Sequence, residues 1–356
     1  MAIIPFTVET EKLLPGEIME TEESVQKDRK HISFICETEP LGDGVIRVGH
    51  GYRKTYGTWL ELTAETVAVY TYYSFRDPAE VVVLPPMPHG LQIDSYVSVV
   101  IDVDVANGGA SFTVSSASGM YKSERSNNWR GWNGSVFASA ENCTLTDAKL
   151  SWFTDNYAAK IWILGASYLG LTNPARWPYY LYKDGYSDVM IAGFGGMKAE
   201  RGLQEIRMAL TRGKPEFIVW HLGGNDADAR WAESLTPGQI AAMSDNFTFD
   251  GEIGGNAVNE RWMKNTKELL ELCEAEGITP ILSTMPSNPL VNHEPKNGWI
   301  RSSGYRYIDV AKAVGAHRSL NWYPGMISSD NVHPTPVGAM AMYARVLADF
   351  PEIMGK

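Results

Sequence analysis

The sequence predicts two domains of different class: a β-sandwich of jelly-roll or lectin-like type over residues 1–155, then an α/β domain with a parallel sheet over residues 156–356. Three observations carry this. A chain of 356 residues exceeds one average core. From about residue 31 to 153 the apolar residues fall in short runs broken by Gly, Asn, Ser and Pro. Beyond residue 155 the pattern becomes strand, loop and helix, repeated.

In the first region the runs are His31 to Cys36, Val45 to Val48, Thr58 to Leu62, Thr66 to Tyr73, Val81 to Leu84, Tyr96 to Val103 and Ala110 to Val114. Several alternate with period two and are rich in β-branched and aromatic residues, as half-buried antiparallel strands are. The first 30 residues are acidic and mixed and fit a helix, an edge strand or an arm equally.

In the second region strands are expected at Lys160 to Leu164, Asp188 to Ala192, Phe217 to Trp220, Thr279 to Ser283 and near Arg318 to Leu320. One helix is expected from an Asn173 cap and Pro174 to a stop at Gly185. Another places Trp262, Thr266, Leu269, Leu270 and Cys273 on one face and stops at Gly277. The last begins at Thr335 and Pro336, with Val337, Met340, Ala341, Ala344 and Leu347 as its apolar stripe. Such alternation gives a parallel sheet covered on both faces, with ligands at the carboxyl ends of its strands.

Composition excludes some classes of partner. A formal charge of −11 without a Lys or Arg run argues against nucleic acid and against an anionic membrane. The start of the chain has no basic region, its apolar run breaks at Pro5, and no stretch reaches the roughly 20 apolar residues of a membrane-spanning helix. Cys36, Cys143 and Cys273 lack metal-type or redox-type spacing and read as reduced thiols. A cytoplasmic protein is the expectation, or an extracellular one if a leader precedes this sequence.

Four polar motifs follow predicted strands or precede the last helix. Ser167 lies just past the strand in Gly165-Ala-Ser-Tyr-Leu-Gly170. A serine hydroxyl is a weak nucleophile until a base takes its proton, and otherwise such a serine caps a turn. Ala192-Gly-Phe-Gly-Gly196 can bring an N–H close to a ligand oxygen. Its spacing is not that of a dinucleotide or phosphate loop. His221-Leu-Gly-Gly-Asn225-Asp226 offers an amide donor to a developing oxyanion and a carboxylate to hold the neighbouring loop, or forms an ordinary Asn-Asp turn. In Asp330-Asn-Val-His333-Pro334 the carboxylate can fix the tautomer of His333, whose other nitrogen can take the serine proton. No zinc-type motif accompanies His333. The other six histidines read as structural, although His221 and His293 fall in loops at the active face.

Together these motifs resemble the SGNH hydrolase superfamily, related to the GDSL esterases and lipases. Gly223-Gly-Asn225-Asp226 matches that family's G-x-N-D and Asp330 to His333 its D-x-x-H, and the resemblance covers about 200 residues, from 158 to 356. It implies a flavodoxin-like α/β/α domain. It also implies Ser167, His333 and Asp330 as the catalytic triad, and Ser167, Gly196 and Asn225 as the oxyanion hole. Two positions depart from the family pattern: Ala166 replaces the usual Asp before the nucleophile, and Ile191 stands where an Asn is usual. The first puts the rigidity of the nucleophile loop in question, the second the assignment of Gly196.

The implied chemistry is two-step acyl transfer with no metal and no organic cofactor. A β-sandwich ahead of such a domain is similar to two-domain carbohydrate esterases, which implies an acetylated carbohydrate as substrate. Tyr168, His293, Trp299 and Trp322 are candidate substrate contacts, as is Trp177. Trp59, Trp129 and Trp132 could bind glycan in the β domain, which could instead wall the cleft or form the interface of a homo-oligomer. A lysophospholipase or thioesterase of the same superfamily, and a non-catalytic carbohydrate-binding protein, are the alternatives.

Overall fold

Alternating apolar and polar residues build antiparallel strands in one half of the chain, and fully apolar runs build parallel strands in the other. The computed structural model describes residues 5–22, 26, 29–52, 56–73, 80–105, 109–123, 129, 131, 134–170, 173–186, 188–193, 195–226, 256–289, 291–316 and 319–355. It divides into two units, Met1–Asp155 and Asn156–Lys356.

The first unit holds thirteen strands among its described residues: β1 (Phe6–Leu13), β2 (Ile18–Glu20), β3 (Arg29–Thr38), β4 (Val45–Tyr52), β5 (Tyr56–Leu62), β6 (Thr66–Tyr73), β7 (Glu80–Val83), β8 (Met87–Pro88), β9 (Tyr96–Asp104), β10 (Gly109–Ser116), β11 (Gly119–Lys122), β12 (Ser135–Glu141) and β13 (Leu145–Phe153). They pair antiparallel in two sheets, ordered β1-β13-β3-β9-β10-β11 and β2-β12-β4-β5-β6-β7, with β8 on β6. Alternation decides which face is buried. Ile32, Phe34 and Cys36 of β3 are buried with Val97, Val99 and Ile101 of β9, while Ile35 and Val100 between them are exposed. Trp129 belongs to this interior: it is 1% exposed and its indole N–H donates to His50 Nε2 at 2.9 Å. Trp59 is half-buried and stacks on Tyr70 at 5.8 Å. Trp132 and His317 lie outside the described residues. Cys36, Cys143 and Cys273 are free thiols, and burial pushes the Cys36 thiol up to about 12.

The second unit carries β14 (Ile161–Gly165), β15 (Val189–Gly193), β16 (Phe217–His221), β17 (Thr279–Ser283) and β18 (Tyr307–Ile308). They form one parallel sheet in the order β15-β14-β16-β17-β18, the flavodoxin-like order with its switch point beside β14. Every residue of β14 is buried, which is why it reads as an unbroken apolar run. Ile163, Val219 and Ile281 pack on one face with Val314, Met342 and Val346. On the other face Trp220 donates to Thr266 Oγ1 at 3.2 Å.

The helices are α1 (Pro178–Lys183), α2 (Ala199–Leu210), α3 (Asn256–Glu276), α4 (Glu294–Ser302), α5 (Val310–Val314) and α6 (Pro336–Asp349). No helix among the described residues is long and apolar enough to cross a membrane. Trp262, Thr266, Leu269, Leu270 and Cys273 of α3 are all buried, and Gly277 ends the helix at φ 65°.

Three expectations need correction. The helix expected from Asn173 starts only at Pro178. Asn173 instead closes a turn, its side-chain oxygen accepting from Ala175 N at 2.9 Å and its carbonyl from Arg176 N. The fifth strand of the sheet is Tyr307–Ile308; of the segment expected near Arg318 to Leu320, Arg318 lies outside the described residues and Ser319 and Leu320 are not in a strand, and two residues beside β17 are too few to leave a periodic trace. The apolar stripe of α6 is rotated. Val337 and Met340 are 59% and 54% exposed, whereas Gly338, Ala339, Met342, Tyr343 and Val346 face the core. Both sets recur at three- and four-residue spacing, so periodicity alone does not choose between them. Close approach does: a Cβ at Gly338 would stand 2.2 Å from the Met326 carbonyl oxygen.

Candidate active site

Each polar motif sits where a strand or loop ends, and Gly165, Gly193, Gly223 and Gly224 around them are there for space. β14 ends at Gly165, where a Cβ would meet Leu169 Cδ1 at 2.6 Å. A turn follows immediately, closed by Leu169 N donating to the Ala166 carbonyl at 3.0 Å, and it carries half-buried Ser167 at its second position. Ala166 is 7% exposed, so a carboxylate in its place would be taken from water. The turn has another tether: the Tyr168 hydroxyl donates to the Val332 carbonyl at 2.6 Å, joining the serine turn to the histidine loop.

That loop is built around Asp330. Its Oδ1 accepts from the Val332 and His333 backbone N–H groups, both at 2.9 Å, and from the Ser328 hydroxyl at 2.6 Å. Its Oδ2 meets His333 Nδ1 at 2.7 Å. Burial pushes this carboxyl up, but the donors from His333, Ser328 and Val332 outweigh it and hold the group well below the usual carboxylate range. Asn331 takes the left-handed conformation, φ 57°, that the tight Asp-to-His turn requires. Ser328 N donates to the His333 carbonyl and Thr335 N to the Met326 carbonyl, so the loop closes on itself before the Thr335 side chain caps α6. His333 Nε2 is buried and has no hydrogen-bond partner, so no Ser167–His333 hydrogen bond is made. The Tyr168 ring stands edge-on to His333 at 5.8 Å.

The loop after β16 carries Asn225. Gly223 has φ 129°, and a Cβ there would stand 2.8 Å from Trp262 Nε1, which itself donates to the Leu222 carbonyl. The Lys296 ammonium, 2% exposed, donates to the Gly223 carbonyl at 2.6 Å from the other side. Burial pushes Lys296 down to about 8, against the pull of Asp226. Asp226 accepts the Ala199 N–H on both oxygens, at 3.2 and 3.1 Å, and so fixes the start of α2 against this loop. Asn225 donates one amide hydrogen to the Met197 carbonyl at 3.1 Å, and among the described residues the other has no partner.

Ser167, Tyr168, Asn225 and His293 line one cavity of about 280 Å³. His221, Gly224, Met285, Asn288 and Val291 complete most of its wall. The wall is fixed by a reciprocal pair: Asn297 accepts from Met285 N at 2.9 Å and donates to the Met285 carbonyl at 2.8 Å. Other candidates stand apart. Gly196, at φ 86°, is exposed and outside the cavity lining. Trp322 is 8% exposed and supports the wall by donating to the Ser287 carbonyl at 2.7 Å. Trp299 packs edge-on to Trp262, and Trp177 packs edge-on to His221. None of the three tryptophans lines the cavity. Among the described residues no group of three His, Cys, Asp or Glu side chains is placed to hold a metal.

Asp330 and His333 are paired and tethered to the turn that carries Ser167, whereas no Ser167–His333 hydrogen bond is made and Gly196 lies outside the cavity lining. The C-terminal unit resembles the SGNH and GDSL-type hydrolases. No family model and no curated protein matches the chain. Solved structures similar to it include TesA, 19% identical over 54% of this chain and 98% of its own, with a TM-score of 0.37. A GDSL-like lipase from Bacteroides thetaiotaomicron is 18% identical over 55% of this chain and 87% of its own, TM-score 0.35. Axe2, an acetylxylan esterase from Geobacillus stearothermophilus, is 14% identical over 54% of this chain and 94% of its own, TM-score 0.36.

Among the cavity residues that the sequence reading did not assign to the site are His221 and Met285. His221 is the last residue of β16 and 1% exposed, and Met285 follows β17. The signal for His221 was its place at a strand's carboxyl end, two residues before the G-x-N-D block.

Proposed function

We propose that the C-terminal unit is a serine esterase that removes O-acetyl groups from carbohydrates. His333, oriented by Asp330, takes the Ser167 proton as the serine oxygen attacks the ester carbonyl. The oxyanion accepts from the Ser167 backbone N–H, the second Asn225 amide hydrogen and, as the resemblance implies, the Gly196 N–H. Each such donor contributes ~3 kcal/mol, about a hundredfold in rate. His333 then protonates the leaving alcohol, and water activated by the same imidazole releases the acyl group. The observation that carries this reading is the Asp330–His333 pair at 2.7 Å with an unpartnered Nε2, tied through Tyr168 and Val332 to the turn that holds Ser167.

The cavity wall is mixed, with Met285, Val291 and Val332 beside His221, Asn225, Asn288 and His293, and it is the last four, as hydrogen-bonding groups, that favour a sugar ester over a long acyl chain. No cofactor enters this chemistry, and neither nucleic acid nor membrane is needed as partner. The N-terminal unit is assigned a jelly-roll or lectin-like accessory role, structural in the first instance, and the protein a cytoplasmic location acting on imported acetylated oligosaccharides. Hydrolysis of p-nitrophenyl acetate, butyrate and octanoate by wild type and Ser167→Ala tests the reading. Serine-dependent turnover of acetate over octanoate supports it. Preference for octanoate points to a lysophospholipase or thioesterase, and glycan binding without hydrolysis of any ester points to a non-catalytic binding protein.

A further inference from the structure

The cavity beside Ser167 contains two buried imidazoles that proton transfer does not use. His221 is 1% and His293 3% exposed, and both line the cavity. His221 Nδ1 lies 2.7 Å from Ser283 Oγ, and the Ser283 hydroxyl donates to the Thr284 carbonyl at 3.3 Å. A serine hydroxyl has one proton to give. Both contacts are therefore made together only when His221 Nδ1 carries the ring hydrogen and donates to Oγ, which leaves Nε2 as an acceptor. That Nε2 is buried and has no partner, and the same is true of His293 Nδ1. Burial pushes His221 down to about 4 and, aided by Lys296, His293 well below the usual range, so both rings are neutral near pH 7.

A buried polar atom left unpaired is costly, and native structures seldom keep one without a use for it. An alkyl chain entering this cavity would leave both nitrogens unpaired. A group that brought hydroxyls within reach of those nitrogens would pair them. We infer that His221 and His293 are specificity-determining residues that hydrogen-bond free hydroxyls on the alcohol part of the ester, with His221 Nε2 as the acceptor. The inference rests on the esterase reading above and deepens it: the enzyme is to require a partly acetylated sugar, not a fully blocked one.

The test compares two esters of one sugar, a mono-O-acetyl methyl xylopyranoside with its other hydroxyls free and the same compound with those hydroxyls O-methylated. Wild type is expected to favour the free-hydroxyl ester by at least tenfold in kcat/KM. His221→Phe and His293→Phe are each expected to bring that ratio towards one. Hydrolysis of both esters by wild type at similar kcat/KM overturns the inference alone and needs no variant to fold. A preference that survives both substitutions also overturns it. If neither sugar ester is hydrolysed while p-nitrophenyl acetate is, the carbohydrate reading itself fails and takes the inference with it.

Discussion

Tyr168 touches two histidines at the same ring-centroid distance, 5.8 Å, and their surroundings make them opposite chemical objects. His333 stands on a loop with its side chain 26% exposed and its Nδ1 against an ionised carboxylate. A proton arriving at Nε2 makes a cation that Asp330 stabilises. His221 is 1% exposed at the end of a strand, its Nδ1 faces a hydroxyl, and burial alone holds it neutral down to about pH 4. The residue type is the same; the partner and the access to water decide that one can be a base and the other a fixed hydrogen-bonding group.

The sharpest break in that comparison is the nucleophile that only one of the two is proposed to serve. Ser167→Ala is expected to lower kcat on p-nitrophenyl acetate by a factor on the order of 10⁴ or more, measured from steady-state rates with folding checked by circular dichroism. Asp330→Asn keeps the size of the side chain but removes the charge that stabilises the His333 cation. A fall in kcat of about a hundredfold or more is expected, tempered by the 50% exposure of that carboxylate. Asn225→Ala removes one oxyanion donor and should cost about a hundredfold in kcat with little change in KM. A fall in KM-controlled binding instead would make Asn225 a ground-state contact.

Stability separates the buried side of the comparison from the exposed one. Gly193→Ala would place a Cβ 1.9 Å from the Gly165 carbonyl oxygen, at the strand ends that support the serine turn. A loss of about 1–3 kcal/mol in urea denaturation is expected. Lys296 gives the pH dependence. Its amine is pushed down to about 8 in the folded protein, below the unfolded value, so the unfolded chain binds the extra proton between those two values. Wild-type stability should therefore rise from about pH 8 to pH 10 relative to Lys296→Met, by up to roughly 3 kcal/mol. A flat difference across that window would show that Lys296 titrates normally.

Much of this was legible in the sequence because it rests on local rules. The strands of the first unit announce themselves by alternation, and β17 was expected over the very residues, Thr279–Ser283, that it occupies. The Thr335 cap and the Asp330 to His333 spacing are contacts between near neighbours, so their residues sit together in the chain. What was not legible depends on distant parts meeting. The face of α6 is chosen by the Met326 carbonyl against Gly338, and β18 exists only because β17 lies beside it. The tryptophans Trp299 and Trp322 read as substrate platforms because they fall near active-face loops, yet they pack behind the cavity wall. His221 read as structural because its partner, Ser283, lies 62 residues away on the adjacent strand.

The most direct test of the central claim is covalent. A fluorophosphonate probe should add once to the wild-type protein, with the adduct on the peptide containing Ser167. Ser167→Ala should take up none, and His333→Ala should react at least a hundredfold more slowly as measured by intact-protein mass spectrometry. Labelling at another residue, or labelling of Ser167 at the same rate without His333, would contradict the account.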